Sequence, residues 1–490
     1  MRILALLAVF AGGVAAEPPR LVVTIVVDQL SPATVARHRG ELRGGLARLL
    51  RDGRRFACVH DHAGTETAPG HAAILTGCRP ARTGIVLNRW YDPRTLRPVY
   101  CVEDPAAGRS PRNLLRDALG DWMKRADPRS RVVAVSAKDR SAILLGGFHA
   151  DAVFWLDSGA GGIATSAYYF PAGPPDWVAA FDRDGWFEAL PESWTYEPSA
   201  AAGPDDDPRE SDRWSRTSPH PLGAATRERT IANLVRTPYL DAWTLRLARA
   251  ALARYDLGRG PAPDLLGLSL SAVDTVGHRY GPESQEIRDT VLRLDEGLGE
   301  LLALLDARGA PYLVALTSDH GVLPFSRMRR VPAAPALREI ERRAGVKSLF
   351  ASGWFYVEGS GGAGAAALAA ALRERDDVEA VFSRAELEGA GRGAMLDLCR
   401  SSYRRDRSGD LVAVFREGVL LSSGDTGTSH GSLWRYDREV PLVFFGAGVT
   451  PGEGPGEART IDIGPTLARA LGVAAPGDVE GSPLDLAGGR

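Results

Sequence analysis

The chain has 490 residues, 44% of them hydrophobic and 24% charged, a composition that excludes intrinsic disorder and supplies enough apolar surface for one large core or two domains. Its 59 basic and 61 acidic residues are well mixed and leave a formal charge of −2, so nothing in the charge pattern provides a nucleic-acid-binding surface. Almost every basic residue is an arginine; the only lysines are Lys124, Lys138 and Lys347, and a lysine in so Arg-biased a chain invites a functional explanation.

In chain order, Arg2 precedes an apolar run over 3–14, and Val14-Ala15-Ala16 stands before Glu17. This pattern predicts a signal peptide over residues 1–16, a mature chain starting near Glu17, and a periplasmic or secreted product. The run is too short to span a bilayer, and no later stretch approaches the ~20 apolar residues a spanning helix needs. LVVTIVV, Leu21–Val27, is a continuous β-branched run of the kind found in strands covered on both faces, and it ends abruptly in Asp28. Comparable runs lie at 132–135, 152–156, 265–270, 312–316 and 440–445. Helical patterning separates them, clearest over 284–308, where Ile287, Val291, Leu294, Leu298, Leu302 and Leu305 form one stripe. The alternation predicts an α/β fold with a mainly parallel central sheet flanked by helices. Segments at about 157–237 and 359–414 break it and read as peripheral insertions in a single catalytic domain over 17–490. Cys58, Cys78, Cys101 and Cys399 have no metal-site spacing; they read as structural, with up to two disulfides permitted in an oxidising compartment and their pairing open.

In open α/β sheets ligands bind beyond the carboxyl ends of the strands, and the polar residues there are informative. Asp28 follows the first run. Asp274-Thr-Val-Gly-His278 follows the run at 265–270 and sets a carboxylate and an imidazole four residues apart, where both can face one ion on a loop or first helical turn. Asp319-His320 follows the run at 312–316, and His430 lies in the Gly-flanked loop Gly427-Thr-Ser-His430-Gly431. A lone Asp after a strand is ordinarily a helix cap and a lone His a satisfied polar residue. Three of each at strand ends make a ligand set for two metal ions with open positions.

These residues resemble the alkaline phosphatase superfamily, whose order is Asp, nucleophile, Asp-x-x-x-His, Asp-His and a late His. Here that order is filled by Asp28, Thr67, Asp274 with His278, Asp319 with His320, and His430. The resemblance implies two zinc ions, one held by Asp274, His278 and His430, the other by Asp28, Asp319 and His320 beside the Thr67 oxygen. Thr65-Glu-Thr67-Ala-Pro-Gly70-His71 then looks like the nucleophile region, a loop entering a helix whose free N–H groups favour a phosphoryl oxyanion. A threonine hydroxyl is a poor nucleophile until zinc activates it, and its ordinary role at such a place is a helix N-cap. His71 reads as structural rather than as a ligand.

Cys78-Arg-Pro-Ala-Arg82 matches the C-x-P-x-R pattern of sulfatases. In that family the pattern precedes the Leu-x-Thr-Gly turn, whereas here Leu75-Thr-Gly77 comes first, so the aligned position falls on Thr67 and Cys78 is a chance match. Lys138-Asp-Arg140 resembles the Lys-x-Arg pair of PafA-like alkaline phosphatases, and Asn88 falls where that group and its phosphodiesterase relatives place a phosphoryl-binding asparagine. A monoester is a dianion and a diester a monoanion, so the added cations favour monoesters. The resemblance therefore implies an alkaline phosphatase acting on small-molecule phosphate esters through a phosphothreonine, with Asn88, Lys138 and Arg140 holding the phosphoryl group. A phosphodiesterase or nucleotide pyrophosphatase with the same metals is the alternative; a sulfatase and a non-catalytic binding protein stand further off.

Overall fold

In the computed structural model, residues 17–488 apart from 160, 201 and 360 are described; the predicted signal peptide lies outside them. The six apolar runs all form strands of one nine-stranded sheet. In chain order its members are β1 (Leu21–Val27), β2 (Arg54–Val59), β3 (Val132–Ser136), β4 (Ala152–Asp157), β5 (Gly162–Ala164), β6 (Asp264–Leu270), β7 (Tyr312–Thr317), β8 (Glu439–Gly446) and β9 (Gly452–Arg459). They are arranged β9-β2-β8-β7-β1-β6-β3-β4-β5. β7, β1, β6, β3 and β4 run parallel. β8 is antiparallel to both β7 and β2, which leaves β2 pointing the same way as β1.

β1 sits at the centre and all seven of its residues are buried. Alternation sends Val22 and Val26 into one core and Leu21, Val23, Ile25 and Val27 into the other, as two-sided burial requires. On the first face lies α1 (Thr67–Thr76), with Ala68, Ala72, Ile74 and Leu75 in the core. On the second lies the long helix Gln285–Ala307, N-capped by the Ser284 hydroxyl, whose predicted leucine stripe is buried throughout. Each such fully buried side chain contributes about 1.5–3 kcal/mol of transfer free energy.

A separate four-stranded sheet, ordered Ser348–Ala351, Trp354–Val357, Leu411–Phe415 and Val378–Ser383, carries its own small core. Its first hairpin turns at Ser352, which has a positive φ of 44° and donates its hydroxyl to Glu66, the residue before Thr67. No described helix is long and apolar enough to cross a membrane. All four cysteines are buried and unpaired, and burial raises each thiol above its ordinary range.

Candidate active site

The parallel strands deliver their carboxyl ends to one edge, and the site is assembled there. β1 ends in Asp28, β3 leads to Lys138 and Arg140, β6 to Asp274 and His278, β7 to Asp319 and His320, and β2 into the loop that presents Thr67. Asp274 and His278 stand on a regular helix, Ala272–Tyr280, where i,i+4 spacing puts them on one face. The start of that helix is held by buried Asp241, which accepts from the N–H groups of Ser271 and Ala272 at 2.8 and 2.9 Å. Burial still pushes Asp241 up to about 7.

Two clusters result, Asp274 with His278 and His430, and Asp28 with Asp319 and His320, the ligand atoms of each lying within 4.8 Å of one another. The three histidines share one hydrogen-bond logic. Nδ1–H of His278, His320 and His430 donates to the carbonyls of Thr428, Gly321 and Thr65 at 2.9, 2.9 and 2.7 Å. A carbonyl only accepts, so each Nδ1 carries a proton, and each Nε2 is the nitrogen turned to carboxylate: His278 toward Asp274 at 3.1 Å, His320 toward Asp28 at 3.3 Å, His430 toward Asp274 at 3.7 Å.

The second cluster passes a test of fit for a cation. Asp28 Oδ1, Asp319 Oδ2 and His320 Nε2 are buried without a well-formed hydrogen bond, their nearest polar contacts being Asp28 to His320 at 3.3 Å and Asp319 to His71 at 3.2 Å, an arrangement that a cation at those atoms would relieve. Burial first, then the charges of Asp274 and Asp319, push Asp28 above the usual carboxylate range, and a cation bound there would favour its ionised form. Asp and His together are the ligand chemistry of a divalent transition metal.

Thr67 is the first residue of α1 and is 1% exposed. Its hydroxyl does not cap the helix. Glu66 occupies the cap position, and the Asn88 side chain reaches across to accept the Ala68 N–H at 2.7 Å. The helix end is therefore less open to an anion than its sequence implies: Ala68 is taken, Pro69 has no N–H, and Gly70 donates to Glu66. With Asn88 Oδ1 committed, its amide nitrogen is the end left for a ligand. The Arg140 guanidinium lies 3.4 Å from the Thr67 hydroxyl oxygen, and Lys138 Nζ lies between the clusters, 2.5 Å from Asp28 and 2.6 Å from Asp274. His71 takes the structural place predicted for it, Nδ1 2.8 Å from the Thr67 carbonyl and 3.2 Å from Asp319, Nε2 2.9 Å from Ser269.

Residues 22–437 match the type I phosphodiesterase / nucleotide pyrophosphatase family. The chain belongs to that family. Within it the likeness is to PafA-like alkaline phosphatases. Alkaline phosphatase PhoK of a Sphingomonas species is 34% identical over 98% of this chain and 93% of its own. The crystal structure of alkaline phosphatase PafA superposes with a TM-score of 0.90 at 28% identity, covering 96% of this chain and 99% of that one. A second PafA structure, TM-score 0.89 at 27% identity with the same coverage, is of a mutant changed at a threonine, an asparagine, a lysine and an arginine, in the order of Thr67, Asn88, Lys138 and Arg140 here.

The rival motif lies elsewhere. Cys78 follows the Gly77 cap at the far end of α1, roughly 15 Å of helix from Thr67.

Several supports of this PafA-like site carry no family motif. Gln29, in a left-handed conformation with φ 68°, donates its side-chain amide to Asp274 at 2.8 Å and its backbone N–H to Asp319 at 3.2 Å, tying the two clusters together. Buried His60 donates Nε2–H to the Ser318 carbonyl at 3.1 Å beneath the Asp319 turn; burial lowers its pKa to about 4, so it supports the turn as a neutral ring. Gly70 has no room for a side chain, since a Cβ would stand 2.2 Å from the Asp319 carbonyl oxygen. Asp139 accepts from the Arg140 backbone N–H at 2.7 Å, the Tyr100 hydroxyl at 2.5 Å and Arg109 Nε at 2.8 Å, fixing the start of the helix that carries Arg140. Tyr100→Phe is expected to lower kcat on a phosphate monoester about tenfold with KM little changed, the cost of one charge-assisted hydrogen bond holding Arg140 in place. Steady-state kinetics with a thermal melt checks it; an unchanged kcat removes Tyr100 from the arrangement.

Proposed function

We propose that this protein is an exported, zinc-dependent phosphate monoester hydrolase that works through a phosphothreonine on Thr67 and releases inorganic phosphate. The observation that carries the reading is the convergence on one buried hydroxyl: Arg140 is 3.4 Å from the Thr67 oxygen, beside two Asp/His clusters with Lys138 between them. Asp274, His278 and His430 would hold one zinc, and Asp28, Asp319 and His320 the other. When bound, the ions supply Lewis-acid stabilisation to the phosphoryl and leaving-group oxygens.

The remaining work falls to side chains. The Thr67 oxygen bonds to phosphorus as the ester P–O bond breaks; water then cleaves the Thr67 phosphoester, restoring the hydroxyl and releasing phosphate. The Arg140 guanidinium, the Lys138 ammonium and the Asn88 amide hold the non-bridging oxygens and the charge that develops on them. Gln29, Asp139 and His71 keep these groups from drifting, which matters because small displacements are costly in such sites.

The family's description favours a second reading, a phosphodiesterase or nucleotide pyrophosphatase with the same metals. Lys138 and Arg140 weigh against it, since a diester offers one fewer anionic oxygen for them. kcat/KM of the zinc-loaded protein on nitrophenyl phosphate, its methyl diester and the matching sulfate separates the readings. The monoester is expected to lead by at least about 100-fold, from two charge-assisted contacts. A leading diester transfers the site to the phosphodiesterases, and a leading sulfate reinstates Cys78. N-terminal sequencing of the same product, recovered outside the cytoplasm, should begin near Glu17; a retained Met1 defeats export.

A further inference from the structure

On the His278 side of the site lies a cavity of about 560 Å³ whose wall includes Arg213, Arg279, Arg330, Thr275, His278 and Ser429. Thr275, His278 and Arg279 share one face of the helix that also carries Asp274, so the cavity and the first metal cluster share a wall. That cluster is the open one. The His278 side chain is 35% exposed, whereas those of Asp28, Asp319 and His320 are fully buried.

The wall is cationic beyond what its surroundings neutralise. Burial and the like charges of Arg236 and Arg213 act against the charge on Arg279, and its Nε, like that of Arg236, is buried with no hydrogen-bond partner. Arg236, which adds its charge from behind the wall rather than on it, is held by Asn233 at 3.3 Å and lies over the Trp214 ring at 5.8 Å, contacts that position a guanidinium without cancelling it. Arg330 donates to the Ser422 hydroxyl at 2.9 Å and to the carbonyls of Gly424 and Gly427, so it shapes the loop on the far wall. Of the acids close by in sequence, Asp207 is engaged by Arg209 at 2.5 Å and Asp212 by Arg216 at 3.5 Å, while burial and then the charge of Glu286 push Glu210 up to about 9. Among the described residues, no ion pair reaches Arg213, Arg236, Arg279 or Arg330; exposed Asp425 is the carboxylate whose field reaches Arg330. Uncompensated guanidiniums around a cavity wait for an anion, and their planar forks match phosphate.

We propose that this cavity is a leaving-group subsite that binds a second phosphate, so that the enzyme favours substrates whose leaving group is itself phosphorylated, such as pyrophosphate or a nucleoside diphosphate. The proposal rests on the monoesterase reading for which phosphoryl group is cleaved: the P–O bond breaks at the metal clusters, and the departing phosphate is the one the arginines hold.

The test compares zinc-loaded wild type, Arg213→Ala and Arg213→Glu, with pyrophosphate and nitrophenyl phosphate as substrates. The readout is the ratio of kcat/KM for pyrophosphate over nitrophenyl phosphate. It is expected to fall about tenfold in Arg213→Ala and further in Arg213→Glu, as loss and then reversal of one charged contact require. A ratio unchanged across the series overturns the subsite. Calorimetry provides a second arm: Thr67→Ala protein should bind pyrophosphate about tenfold more tightly than orthophosphate, and adding Arg213→Glu should abolish the difference. Equal affinities in the Thr67→Ala protein also overturn it. If the wild type turns over neither substrate, the monoesterase reading has failed, and the calorimetric arm still decides the subsite.

Discussion

Thr67→Ala is expected to lower kcat/KM on a phosphate monoester by at least about 1,000-fold, the scale on which removal of a nucleophile is felt, while the fold stays intact. The hydroxyl is nearly free of structural duty. Its contact is with the Arg140 guanidinium at 3.4 Å, the cap position belongs to Glu66, and the Thr67 carbonyl, which receives His71, survives the substitution. Thermal stability should therefore change by less than about 1 kcal/mol, as alanine is also the better helix former at that place. Thr67→Ser keeps the oxygen and is expected to retain activity within about 100-fold. Kinetics on all three proteins, with a melt for each, tells the roles apart. An active alanine variant would falsify the nucleophile assignment, and a variant that lost stability in proportion to activity would return Thr67 to a structural role.

The sequence disclosed most where burial leaves a one-dimensional trace. β1, β3, β4, β6, β7 and β8 are covered by helices or neighbouring strands and read as apolar runs, and the long helix Gln285–Ala307 showed its stripe and its serine cap. β2 and β9 left no such trace. RRFACV is interrupted by charge, and GEGPGEAR is a glycine-rich edge strand that pairs only with β2, so its stability comes from register rather than from its own side chains. The reversal of β8 within a mainly parallel sheet is likewise topological and absent from local pattern. At the site the candidate ligands Asp28, Asp274 and Asp319 were legible because each follows a strand end, while His430 showed only as a histidine in a glycine-flanked loop. Gln29, Asp139, Asp241 and His60 were not, since each acts on a neighbour distant in the chain or on backbone, through a contact that only the folded chain creates. The left-handed conformation of Gln29 is the plainest case: an ordinary residue type, in a backbone region it rarely enters, faces two acids 245 and 290 residues away.

The Lys138→Ala, Arg140→Ala double variant carries the other large expectation, and it concerns selectivity. Both cations reach the site from the end of β3, Lys138 as the cap residue and Arg140 in the first turn of the following helix, so one strand end would bring two charges to a phosphoryl group under the proposed reading. Each contact to a doubly charged phosphoryl oxygen contributes about 1.5–3 kcal/mol, so removing both should lower kcat/KM on the monoester by about 100-fold to 10,000-fold. The methyl diester has one fewer anionic oxygen and should lose about 10-fold to 100-fold, so the preference for monoesters narrows. The two single changes are not expected to add, since Lys138 and Arg140 bear on the same group and Lys138 also spans Asp28 and Asp274. That second contact gives the test its discrimination. If Lys138 and Arg140 serve mainly to order the acids and the nucleophile, both substrates must fall by the same factor; if they read the charge of the ester, the monoester must fall further. An equal fall withdraws the chief argument for a monoesterase and leaves the diester reading, which the same metals and the same threonine would serve.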